Sequence, residues 1–228
     1  SGDIRADGSI TGGGAFRVVD GGVHTYKGNI DVASLDIQDA TTSVTLGADT
    51  SKTVRTATSV DINSDSGELT QNAKVDAGTS LDYDTAGTIG INESIATGSA
   101  IDIDAGNTTT IAEAGDIDAG GAVTFGADKA GTLTTAANIT TSDDDVTFTN
   151  AVTLSGGDAK VLIDTTGTEL GDILFKSDVR TGGQALTLDA GESGDITADA
   201  SITGGGAFTV VDGAVQTYKG NIDVASLD

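Results

Sequence analysis

Apolar residues along this chain recur six apart. Ile4/Ile10, Leu69/Val75, Ile89/Ile95, Ile111/Ile117, Leu133/Ile139, Ile173/Val179 and Ile196/Ile202 all keep that spacing. A third apolar position follows at twelve in Phe16, Leu81, Ile101, Val123 and Phe208, and slips by one to Val146 and Leu186. The third position opens a short alternating stretch, as in Leu81-Asp82-Tyr83, Ile101-Asp102-Ile103 and Val123-Thr124-Phe125. Alternation puts both apolar side chains on one face of a strand and the polar one on the other. The unit then restarts, as from Leu69 to Ile89 to Ile111 to Leu133. Three short strands and a longer connection, returning every ~20–23 residues, predict one coil of a β-solenoid whose stacked coils bury a shared core. The register is hard to follow over 26–66 and 150–170, where longer corners or an irregular coil are expected.

A longer period encloses the short one. Residues 1–36 return as residues 193–228 with five differences: Arg5/Thr197, Gly8/Ala200, Arg17/Thr209, Gly22/Ala214 and His24/Gln216. The chain therefore divides into one long repeat, 1–192, and the start of the next copy, 193–228, in a continuous solenoid with no separate domain. A weaker echo relates the segments starting at Val44 and Val123. The competing architecture, tandem β-sandwiches, gives no reason for a fixed spacing of six and twelve.

Composition agrees with this reading. Gly is 33 of 228 residues, and Pro, Cys, Met and Trp are absent. Of the 35 acids, 30 are Asp, a turn former that disfavours helix interiors. No segment carries the apolar spacing of an amphipathic helix. The expectation is all-β: a parallel β-solenoid, with corners at Gly, Asn and Asp. The formal charge of −24 repels nucleic-acid phosphates and anionic headgroups, so neither nucleic acid nor membrane insertion by this segment is expected. The same charge attracts divalent cations.

Segments such as GGQALTLDAGESGDITADASITGGGAF and GTIGINESIATGSAIDIDAG resemble the repeats of giant bacterial surface proteins of the filamentous-haemagglutinin type. The resemblance covers nearly the whole chain and lies in a degenerate pattern. It implies an all-β, right-handed parallel β-helix in a secreted or surface-attached fibre used for adhesion, biofilm building or cell–cell contact. It carries over no functional residue.

Candidate chemistry is sparse. The only histidine, His24, becomes Gln216 in the second copy, which argues against a general base and for an exposed or corner residue. Arg5 and Arg17 become Thr, which weakens a polysaccharide-lyase reading. Gly12–Gly14 and Gly204–Gly206 lack the Lys and helix of a phosphate loop and read as tight corners. Two acidic corners are candidate calcium ligands: Asp61, Asn63 and Asp65, in D-x-N-x-D spacing, and Asp143, Asp144 and Asp145. The first departs from an EF-hand loop at Ser66 and Asn72. The functional expectation is a non-enzymatic shaft of an extracellular filament or surface adhesin, with calcium as the one candidate cofactor. Its expected partners are further copies of the repeat, shafts bundled through divalent cations, and a glycan or cell surface. The alternative is a β-helix that binds or degrades polysaccharide.

Overall fold

The computed structural model describes residues 2–64, 67–156, 160–167 and 170–228. Among these the chain is all-β and winds as a parallel β-solenoid of about ten turns. One coil shows the plan. Leu81–Thr85 forms a first face, Ile89–Ile91 a second and Ile95–Thr97 a third. Ile101–Ala105 then returns to lie parallel on Leu81–Thr85, pairing Leu81 with Ile101 and Tyr83 with Ile103. The six-residue spacing is thus a three-residue strand plus a three-residue corner.

The ladders explain why the alternation matters. On the first face Leu35, Val60, Leu81, Ile101 and Val123 pair in sequence, and the column continues through Val146, Ile173 and Ile196. Two residues on, a parallel column runs Ile37, Ile62, Tyr83, Ile103, Phe125, Phe148 and Phe175. All of these side chains are at most 3% exposed. Burying each is worth roughly 1.5–3 kcal/mol, and a coil alone has nothing to bury them against. Phe125, Phe148 and Phe175 stack nearly parallel at centroid distances of 5.3 and 4.7 Å. Tyr26, Tyr83 and Phe208 join these three rings in the core, with Phe16 and Tyr218 packed at its ends.

The departure from the three-strand plan lies over 15–46, overlapping only the first part of the segment 26–66. Ala15–Tyr26 and Ser34–Leu46 are long strands that run through the first and second faces without a break. They pair with each other from Ala15↔Ser34 to Tyr26↔Leu46, with a register shift between Gly21 and Val23. Asp20 and Asp39 take left-handed backbone angles, φ 68° and 58°, which turn the strands at the edge between faces. Among the described residues these two strands join the first and second faces into one 19-stranded sheet, while the third face is a separate 11-stranded sheet.

The second copy of the repeat continues the stack directly, since Ile173 pairs with Ile196 and Val179 with Ile202. His24 corrects an expectation. It is fully buried rather than exposed or at a corner, because it occupies an inward column position between Ile4 and Val44. Its Nδ1 lies 3.5 Å from the Tyr26 hydroxyl, and burial lowers its pKa.

Candidate functional site: the aspartate face

The outward positions of the first face carry the densest charge. Val60–Ser64, Leu81–Thr85 and Ile101–Ala105 read V-D-I-N-S, L-D-Y-D-T and I-D-I-D-A. Because the apolar residues must point inward, the acids between them must point outward. Parallel pairing then stacks Asp36, Asp61, Asp82 and Asp102 in one outer row, and Asn63, Asp84 and Asp104 in the next. Successive rungs are about 4.8 Å apart. At that distance two like charges repel by roughly 1–3 kcal/mol near a protein surface.

The titration behaviour follows. Partial burial, with the neighbouring carboxylates of Asp61, Asp84 and Asp104, pushes Asp82 up to about 6. Burial and the carboxylates of Asp104 and Asp82 do the same to Asp102, also to about 6. Asp61 and Asp104 are raised, again chiefly by burial. The stripe is partly compensated at its margins. Arg17 Nε lies 2.8 Å from Asp36 Oδ2, and Gln38 Nε2 donates to Asp36 at 2.8 Å and to Asp61 at 3.1 Å. At the other end the segment 126–131 folds over the second row. Lys129 Nζ lies 2.8 Å from Asp84 Oδ1, and the Asp128 N–H donates to Asp104 Oδ2 at 3.2 Å. This covering leaves Asp104 only 4% exposed. Its Oδ1 and that of Asp102 are buried without a hydrogen-bond partner. The centre of the stripe is thus an electrostatically costly surface held in place by the core columns behind it.

The two sets of calcium candidates lie at different places on the solenoid. Asp61 and Asn63 lie two residues apart on the outer side of the aspartate face, in successive rows; Asp65 lies outside the described residues. Asp143–Asp145 sit four rungs further along, at the corner between the strands Ile139–Thr141 and Val146–Phe148. There Asp143 adopts φ 70°, and the Asp144 carbonyl accepts from the Thr141 hydroxyl. The Asp145 carboxylate accepts from the Asp172 N–H one coil on, at 2.9 Å. Among the described residues no group of three or more His, Asp or Glu is arranged to hold a metal ion.

Asp145 belongs to a pattern that the sequence reading missed. Asp172 accepts from Asp195 N–H at 2.7 Å, and Asp195 from Val215 N–H at 3.0 Å. On the third face Asp116 accepts from Asn138 N–H at 2.8 Å, and Asn138 from Leu162 N–H at 2.9 Å. On the second, Asp178 accepts from Ser201 N–H at 3.1 Å. The common signal is an Asp or Asn directly before the first apolar residue of a strand. Such a side chain satisfies a corner N–H in the next coil that the ladder leaves over. Asp116, Asp145, Asp172, Asp178 and Asp195 are therefore structural caps, which sets them apart from the stacked acids of the first face.

Two open troughs, of about 490 and 400 Å³, run along the third face past Gly12, Arg55, Asp76, Gly98 and Asp118. They are shallow. No helix of the described residues is long and apolar enough to cross a membrane.

Fold and surface together define a parallel β-solenoid with one acidic face. Compared with family models, with curated proteins and with solved structures, the chain finds no match.

Proposed function

We propose that this chain is a stretch of the shaft of an extracellular bacterial filament or giant surface adhesin, giving length and stiffness rather than catalysis. One observation carries the reading. The 36-residue segment that returns in the sequence joins the same ladders as the coils before it, so one repeat passes into the next without an interface. A solenoid gains nothing from ending at a repeat boundary, because each open sheet end is covered by the coil that follows. Further copies of the repeat are the axial partners. The aspartate face serves lateral contact, with divalent cations, calcium among them, lowering the repulsion between shafts. Adhesion to a glycan or a cell surface in this reading belongs to the same surface-exposed fibre.

The test is rod length. Proteins carrying this chain extended by one and by two further copies of residues 1–192 are imaged by electron microscopy. The reading expects thin rods that lengthen by about 42 Å per added unit at ~4.8 Å per coil. Beads on a string, or compact particles of unchanged length, would overturn it. Release of sugar ends from a panel of acidic polysaccharides would favour the enzyme alternative instead.

A further inference from the structure

The repeated segment meets the solenoid on different faces at its two occurrences. In the first copy Ile4 pairs with His24 on the second face, Ile10 with Ile30 on the third, and Phe16 with Leu35 on the first. In the second copy their counterparts Ile196, Ile202 and Phe208 pair with Ile173 on the first face, Val179 on the second and Leu186 on the third. Nine pairing steps carry the second-face ladder from Ile4, by way of Val44, Ile89 and Leu133, to Ile202. Ile196 lies one face before Ile202.

We infer that the 192-residue unit advances eight and two-thirds turns, so that each copy of a given surface is turned one face, a third of a turn, from the copy before it.

Local contacts recur despite the turn, although the strand Ala15–Tyr26 of the first copy is split in the second into Ala207–Asp212 and Gln216–Tyr218. Phe16 and Tyr26 meet edge to face at 5.8 Å and 88°, and Phe208 and Tyr218 do so at the same distance and angle. A Cβ on Gly28 would meet the backbone of Gly8 and Ser9 at 2.5 Å, and one on Gly220 would meet that of Ala200 and Ser201 at 2.4–2.5 Å. The same contacts form because every face asks only for an apolar–polar–apolar strand closed by a small corner residue. A six-residue strand-and-corner module fits any of the three sides.

The consequence for a longer array rests on the shaft reading above. The acidic stripe of Asp61, Asp82 and Asp102 would recur on the next side about every 42 Å, and would regain its own side after three units, 26 coils or ~125 Å. A shaft built this way offers one interaction surface in three directions. A second shaft that docks on one side of one unit finds the same surface on the adjacent side of the next.

The turn is measurable within this chain, which has no cysteine of its own. Thr197 shares its outer row with Arg17, eight pairing steps away, whereas Arg5, its counterpart in sequence, lies on the neighbouring face. Spin labels are placed on Arg17→Cys/Thr197→Cys and on Arg5→Cys/Thr197→Cys, with circular dichroism to confirm that each variant folds. Pulsed dipolar spectroscopy should return the Arg17 pair as the shorter by about 5 Å or more. That figure combines ~38 Å along the axis with ~42 Å plus a lateral offset of at least about 10 Å between faces. Distances equal within about 2 Å, or a shorter Arg5 pair, would mean whole turns per unit and overturn the inference. The measurement needs no filament, so failure to form rods would sink the shaft reading while leaving the turn standing.

Discussion

Asp102→Asn should stabilise this protein at neutral pH and do almost nothing in acid. Asp102 lies between Asp82 and Thr124 in the outer row, with one carboxylate oxygen buried and unpartnered. Its pKa in the fold is about 6 against an ordinary value of 3.8. A folded-state pKa above the unfolded one means that the fold binds the extra proton between about pH 4 and pH 6. The charged carboxylate therefore opposes folding above pH 6, and the opposition fades as pH falls towards 4. The full shift corresponds to about 3 kcal/mol, and solvent screening on this half-open face reduces that to about 1 kcal/mol. Removing the charge at constant shape should recover ~1 kcal/mol at pH 8 and close to zero at pH 4. Urea unfolding of the parent and the variant at both pH values, followed by circular dichroism in low salt, measures the difference. An equal change at the two pH values, or a loss of stability at pH 8, would refute the electrostatic account of the stripe.

Substitutions at four further positions probe the rest of the architecture. Phe148→Ala empties the middle of the Phe125–Phe148–Phe175 stack and should cost ~3–5 kcal/mol in a denaturant titration, far more than a surface change. Asp172→Ala removes the cap on the Asp195 N–H and should cost about 1 kcal/mol, most of which Asp172→Asn should restore, since the amide oxygen also accepts. Gly98→Ala places a Cβ 2.3 Å from the Gly78 carbonyl oxygen and should cost ~1–3 kcal/mol, whereas Gly90→Ala, whose Cβ stays 3.9 Å from the nearest atom, should be neutral or mildly stabilising.

How far these features could be read in advance depends on their range. The six-residue spacing of Ile89, Ile95 and Ile101 reports strand and corner lengths directly, so the coil was legible from apolar positions alone. The long strands Ala15–Tyr26 and Ser34–Leu46 were not, because they turn between faces at Asp20 and Asp39 while strand pairing continues, even past Gly21 and Gly22. His24 looked like a surface residue because polarity alone does not say on which side of a strand a residue falls; its parity with Tyr26 would have placed it inward. In sequence only Asp145 stood out, as part of an acidic corner, while Asp172 and Asp195 carried no distinguishing signal. Their role as caps emerges only when the next coil places an N–H within reach. The stacked rows of Asp61, Asp82 and Asp102 likewise needed the pairing register, since they are 20 or 21 residues apart in sequence.

The central claim is that this chain is a continuous stack of parallel coils along one axis. The most direct measurement is X-ray fibre diffraction, or the power spectrum of electron micrographs, from aligned rods of the tandem-extended protein. The account predicts a meridional reflection near 4.8 Å, with strands perpendicular to the rod. Strand spacing oriented across the rod, or no reflection near 4.8 Å along it, would contradict the solenoid and the shaft together.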